Sequence, residues 1–300
     1  MKIYFVTYHH TNRGTSGACV YHHNLAKVML GWGWEVRSLS LHVPAQHDCE
    51  GVLVGTMKEH LTNQLWADVI VTHPNPHIMV KIKRPTVVIK HNDGHEPHRF
   101  EHCKVLYCGA HAAAAAKISC VESFVWNPGN RFYGTENRGN PDGYWLMVNC
   151  NKNKGGHHLI ALAEMMPDVQ FVGLLGAYNP QITKKLPNLR YAPCTEDIGP
   201  WYQGAAGLLC LSQREGFPTV VMEAMSHGLP VVGNAACAGL VDVAGKEAAA
   251  LSNHIEGWAA AIQLYGQIDI WLETEKDSLC RAAAIEQARD FEGLKKFFTK

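Results

Sequence analysis

Residues 214–233 read REGFPTVVMEAMSHGLPVVG, with two glutamates, Glu215 and Glu223, around an apolar run that holds a single proline. The strand-like run GLLCLS precedes this stretch, Pro218 stands at the first position of a predicted helix, and Gly228 stops that helix before the next buried run, PVVGN. Strand, loop, helix and strand in that order form the repeating unit of a parallel sheet covered by helices. The first turn of such a helix leaves the N–H groups of Thr219 and Val220 unused, and its positive end suits a phosphate. Glu223 falls on the same face as Thr219, one turn deeper. It is badly placed for a phosphate and well placed to accept hydrogen bonds from ribose hydroxyls. Glu215, in the loop ahead of the helix, reaches past the phosphates to whatever they carry. The pattern describes a nucleoside diphosphate bearing a hydroxyl-rich group. The plain alternative is two solvated acids flanking a core helix.

The same alternation extends along the chain. Strands are expected at KIYFVTY, EVRSLSL, ADVIVTH, PTVVIKH, KVLYCG and SFVWNP, then at YWLMVNC, VQFVGLLG, LRYAP, GLLCLS and PVVGN. Between the two sets, NPGNRFYGTENRGNPDG is rich in Gly, Asn and Pro and reads as a linker. This predicts an α/β protein with an N-terminal Rossmann-like domain over 1–140 and a C-terminal one over 141–300, two doubly wound sheets facing each other across a ligand-binding cleft. The run HAAAAAK is a good helix former, and IEQARDFEGLKKFFTK reads as a last amphipathic helix packing back on the domain junction.

Composition agrees with a globular chain: of 300 residues, 47% are apolar and 18% charged, with no apolar run long enough to span a bilayer. The opening MKIYFVTYHH resembles a first buried strand more than a signal peptide, so a cytoplasmic location is expected. Ten cysteines are scattered without a CxxC pair, which points to reduced core thiols.

EGFPTVVMEAMSHGLPVV resembles the E-x7-E segment of the family 4 retaining glycosyltransferases, which have the two-domain GT-B fold. GTSGACVYHHNLAKVMLGWGWEV is similar to that family's glycine loop and first helix, KGGHHLIALAEM to its lysine-glycine helix, and ADVIVTH with PTVVIKHNDG to its acceptor-domain strands. The resemblance implies transfer of a sugar from a nucleotide-diphosphate sugar, a UDP-sugar, to a hydroxyl acceptor, with no further cofactor. By resemblance Glu215 hydrogen-bonds the donor sugar, Gly216 and Phe217 contact it through their backbone, and Glu223 holds the ribose. Thr219 and Val220, behind Pro218, complete the donor site.

Gly14 and Gly17, in the loop after the first strand, would let backbone amides approach the diphosphate, although a plain tight turn is an equal reading. Lys154, read as the start of a helix, would neutralise the leaving diphosphate. The arginine usually found about five residues before that lysine in the family is absent, and Asn149 or Lys152 stands nearest. His91, at the carboxyl end of its strand, would support catalysis by contacting the donor sugar or orienting the acceptor. Glu215, His91 and Lys154 form the expected catalytic set.

The segment HNDGHEPHRFEHC invites a metal reading through His91, Asp93, His95, His98, His102 and Cys103, but it has neither HExxH nor a paired-Cys framework, and no metal is assigned.

Residues 1–140 hold 14 Lys and Arg against 10 Asp and Glu; the remainder holds 27 less 14, or 13, against 27 less 10, or 17. The first part also holds 14 of the 18 histidines. A basic half suggests an anionic acceptor. The expectation is 5-hydroxymethylpyrimidine (5-hydroxymethylcytosine) in DNA, as for compact bacteriophage enzymes of this fold, which would place the protein in a host cytoplasm and require access to the base in the groove or by flipping. A saccharide or lipid acceptor is the second reading, and a non-catalytic sugar-nucleotide binding protein or a GT-B epimerase or phosphorylase are others.

Overall fold

The computed structural model describes residues 1–7, 10, 16–41, 45–73, 84–91, 100–116, 120–176, 179–245 and 249–300. The chain divides into two compact units, Met1–Pro128 with Arg289–Lys300, and Gly129–Ala288.

The first unit contains β1 (Lys2–Val6), α1 (Gly17–Gly31), β2 (Glu35–Leu39), β3 (His47–Cys49), β4 (Val52–Gly55), α2 (His60–Trp66), β5 (Val69–Thr72), β6 (Thr86–Lys90), β7 (Lys104–Tyr107), α3 (Ala110–Ala115) and β8 (Glu122–Val125). Its strands lie in the order β3-β4-β2-β1-β5-β6-β7-β8. Every pairing is parallel except that of β3 with β4. Central strands of such a sheet are covered on both faces, which is why Ile3, Tyr4 and Phe5 are all fully buried in β1. The sequence reading lacked β3 and β4. β3 is only three residues long with His47 and Asp48 exposed, so it offers no apolar alternation to read.

The second unit contains β9 (Tyr144–Val148), a 3-10 turn (Lys152–Lys154), α4 (Gly156–Met165), β10 (Phe171–Leu174), β11 (Leu189–Ala192), α5 (Gly199–Gln203), β12 (Ala205–Cys210), α6 (Thr219–Ser226), β13 (Val231–Asn234), α7 (Ala238–Ala244), β14 (Ala249–Ser252), α8 (Ile255–Tyr265) and α9 (Ile268–Gln287). The sheet order is β11-β10-β9-β12-β13-β14, with parallel pairing throughout. β14 was not anticipated.

The division after Pro128 corrects the boundary expected near residue 140. The intervening segment has a linker's composition, yet its polar groups are committed to the second unit. Asn130 Nδ2 donates to the Met222 carbonyl at 2.7 Å and to Ser226 Oγ at 2.5 Å, and Asn140 N donates to the Ala205 carbonyl at 2.8 Å. Gly139 lies so close that a Cβ there would meet Leu229 at 2.2 Å.

The last helix, α10 (Phe291–Thr299), belongs to the first unit, where Leu294, Phe297 and Phe298 are buried. Phe297 stacks on Phe124 with ring centroids 5.7 Å apart, and its carbonyl accepts from Lys104 Nζ at 2.6 Å. Each of these apolar side chains contributes roughly 1.5–3 kcal/mol by leaving water.

None of the ten cysteines is in a disulfide. No helix among the described residues is long and apolar enough to cross a membrane.

Candidate active site

β12 delivers the chain into the loop 211–218, and α6 begins at Thr219 with the extended Pro218 as its cap residue. The proline therefore sits one position ahead of the place predicted for it. Val221 N donates back to the Pro218 carbonyl at 3.0 Å, so the helix ladder makes no use of the Thr219 and Val220 amides. Phe217 and Val220 pack against the core beneath, and Gly216 and Pro218 are buried, which fixes the loop without a ligand.

In that loop Glu215 meets Lys154, whose ammonium donates to Glu215 Oε1. The pair is largely shielded, with side-chain exposures of 13% and 26%. Lys154 closes the 3-10 turn rather than opening the helix, because α4 starts only at Gly156. Two features hold the turn. Asn151 Oδ1 accepts from Lys154 N at 3.0 Å. Gly155 has φ +90° and faces Leu211 so closely that a Cβ would lie 2.8 Å from it, a combination only glycine accepts. On the other side α7 approaches through Gly239, where a Cβ would lie 2.1 Å from the Glu215 carbonyl oxygen.

Asn149, just past β9, has φ +66° and is 6% exposed. Its Oδ1 accepts from Asn151 Nδ2 at 2.9 Å and from Gln181 Nε2 at 3.0 Å, so this side chain braces the turn that carries Lys154. Lys152 is exposed.

Glu223 is 4% exposed. Its Oε2 accepts from Tyr202 Oη at 2.8 Å, and its Oε1 lies 3.1 Å from Arg131 Nε. Burial pushes this carboxyl above its ordinary range, with the Arg131 guanidinium opposing the shift. Burial and the adjacent carboxylate push the Tyr202 phenol far up. The carboxylate expected to hold a ribose thus already has a protein partner on each oxygen. Sequence reasoning missed both partners: Arg131 lies in the segment read as a linker, and Tyr202 in a short helix, α5, with no motif of its own.

In the first unit, His91 follows β6 inside a group of aromatic rings. Its ring centroid lies 5.0 Å from that of His73, 5.5 Å from His22 and 5.2 Å from Tyr21. Burial pushes His91 and His22 well below the ordinary histidine value, and His73 to about 4. These imidazoles are neutral at pH 7. Gly17 is the exposed first residue of α1, whose cap, Ser16, accepts from Cys19 N at 3.4 Å. Gly14, Asp93, His95 and His98 lie outside the described residues.

Residues 159–265 match the family model for glycosyl transferases group 1. No curated protein matches the sequence. Among solved structures, sucrose-phosphate synthase from Thermosynechococcus elongatus is 13% identical, with 95% of this chain and 94% of that chain covered and a TM-score of 0.73. A glycosyltransferase from Rickettsia africae is 12% identical over 100% of this chain and 99% of that one, also with a TM-score of 0.73. The Anabaena protein HepE, solved with UDP and glucose, is 13% identical over 99% and 98% with a TM-score of 0.65. The fold is therefore GT-B, two parallel-sheet α/β domains in one chain.

Proposed function

We propose that the protein is a glycosyltransferase that moves a sugar from a nucleoside-diphosphate sugar to a hydroxyl acceptor. The observation that carries this reading is the Lys154–Glu215 pair, whose carboxylate belongs to the loop that leads directly into α6 and its unused first amides. A cation, two free N–H groups and a carboxylate meet at the carboxyl ends of β9 and β12, the edge of an open parallel sheet where ligands bind. Phosphate oxygens suit the ammonium and the amides, whereas the carboxylate repels them and accepts from sugar hydroxyls. When a donor enters, its diphosphate replaces Glu215 as the partner of Lys154, and Glu215 turns to the sugar. The cation then lies beside the oxygen that gains charge as the sugar–phosphate bond breaks. The match to the group 1 family over residues 159–265 and the UDP and glucose held by HepE support the same donor class.

Retention of configuration, independence from a metal cofactor and the supporting role of His91 are carried by the resemblance to family 4 enzymes. For the acceptor, the excess of basic residues in 1–140 favours an anionic compound. 5-Hydroxymethylcytosine in DNA is our first choice. The name of sucrose-phosphate synthase favours a phosphorylated saccharide as the second reading. Incubating the full chain with UDP-, GDP- and ADP-sugars, each with hydroxymethylated DNA or sugar phosphates, tests all of these by product mass. The expected result is a hexose-sized or pentose-sized gain with one donor. Absence of both transfer and donor hydrolysis, with a nucleotide sugar still raising the melting temperature, would make the protein a non-catalytic binder.

A further inference from the structure

A second cluster of chemistry-bearing side chains in the first unit does not include His91. His10 follows β1, His23 projects from α1, and Cys49 ends the edge strand β3. One ligand atom from each lies within 4.8 Å of the other two, and all three residues are buried. His10 is 2% exposed, and neither of its ring nitrogens has a hydrogen-bond partner. A neutral imidazole carries one donor and one acceptor, so both functions of His10 are unused inside the protein. His23 is held differently. Its Nε2 meets Glu50 Oε2 at 3.3 Å, that carboxylate also faces Lys27 Nζ at 3.4 Å, and His23 Nδ1 is left without a partner.

From this geometry we infer a tetrahedral site for a zinc-like divalent cation, formed by His10, His23 Nδ1 and the Cys49 thiolate. Two imidazole nitrogens and one thiolate make a donor set of the borderline softness that zinc and cobalt prefer. Bond lengths of about 2.0 Å to nitrogen and 2.3 Å to sulfur put neighbouring ligand atoms about 3.5 Å apart. Side chains already within 4.8 Å close that gap by small rotations. Glu50 supplies what a metal-bound histidine commonly has: a carboxylate on the far ring nitrogen, which fixes the tautomer and leaves the near nitrogen's lone pair for the ion. On binding, the Cys49 thiol gives up its proton to solvent, and the fourth position falls to water. The ion ties β3, a three-residue edge strand paired only with β4, to α1 and to the end of β1. The site lies outside the residues assigned to sugar transfer.

The His22, His73 and His91 side chains form another group within 4.8 Å, but among the described residues it holds neither sulfur nor a carboxylate partner of this kind, and His91 belongs to the candidate active site. The test must separate the two groups. Full-length protein stripped with a chelator is titrated with Co²⁺ and then Zn²⁺. The expected result is one equivalent bound, a thiolate-to-cobalt charge-transfer band, and an X-ray absorption shell with one sulfur near 2.3 Å beside nitrogens near 2.0 Å. Cys49→Ser abolishes the band, Glu50→Gln weakens binding about 10- to 100-fold, and His73→Gln leaves it unchanged. No binding at micromolar cobalt, a shell of nitrogen and oxygen alone, or loss in His73→Gln with retention in Cys49→Ser would each overturn the inference. The wild-type absorption spectrum decides the matter even if Cys49→Ser does not fold.

Discussion

In the second unit each oxygen of the buried Glu223 carboxylate has a protein partner, Tyr202 at 2.8 Å and Arg131 at 3.1 Å, and Glu215 is held by Lys154. In the first unit the Nε2 atoms of His22 and His91, and both ring nitrogens of His10, have no hydrogen-bond partner. His10, His91, Lys154 and Glu215 all follow the carboxyl ends of parallel strands, so topology alone does not separate the two regions. The difference lies in how burial is tolerated. A carboxylate taken from water must be paired or it reverts to its neutral form, whereas an imidazole simply stays neutral and accepts an unmet hydrogen bond. Glu223 and Glu215 in the second unit are thus held through charges that answer one another. His10, His22 and His91 in the first unit instead keep ring nitrogens whose bonding capacity is still open, as His227 Nε2 does in the second.

Breaking the best-satisfied pair gives the largest expected effect. Glu223→Ala strands the Tyr202 hydroxyl and the Arg131 guanidinium, and urea unfolding should show a loss of about 3 kcal/mol. The value is at the lower end for a buried pair because Arg131, 27% exposed, can still reach water. Glu223→Gln keeps an acceptor for Tyr202 and should lose less. If instead the alanine variant is as stable as wild type while nucleotide binding falls, Glu223 answers to a ribose and not to its neighbours.

The Lys154–Glu215 pair makes the opposite case, with little stability and much function. Lys154→Ala should slow sugar transfer about a hundredfold, equivalent to about 2.7 kcal/mol of barrier. Its unfolding free energy should fall by less than that of Glu223→Ala, because Glu215, 13% exposed against 5% for Glu223, can turn toward water when its partner is lost. Full activity in this variant would remove the pair from the donor site and leave the comparison between the units purely structural.

How far these features were legible depends on whether they are local in sequence. Glu215 and the start of α6 could be read because strand, loop, proline and helix follow one another, and Lys154 because it trails a strand in the same way. Their pairing across 61 positions was not visible in it. Arg131 and Tyr202 could not be read, since neither occupies a motif and each acquires its role only when distant segments pack. The same holds for His10, His23 and Cys49, brought together by a strand too short to show alternation. The boundary was misplaced because Gly, Asn and Pro mark irregular backbone, and composition does not say which unit an irregular segment hydrogen-bonds.

The smallest effect concerns pH. His73 titrates near 4 in the folded protein because burial disfavours its charged form. The unfolded chain titrates near 6.5. Below that value the unfolded state takes up a proton that the native state refuses, so stability falls with falling pH until about 4, where the native histidine is protonated as well. Above about pH 7.5 neither state binds the proton and the contribution is flat. Between about pH 7.5 and 5.5 one such histidine removes at most about 1.3 kcal/mol, and less for His73, which is only half-buried against solvent. His91 and His22, whose values burial also pushes well down, act in the same direction. Chelator-treated protein should therefore unfold at lower urea at pH 5.5 than at pH 7.5, and His73→Gln should flatten part of that slope. An unchanged slope in the variant would mean that water reaches the ring and supplies its missing hydrogen bonds, so that the first unit is as well satisfied as the second.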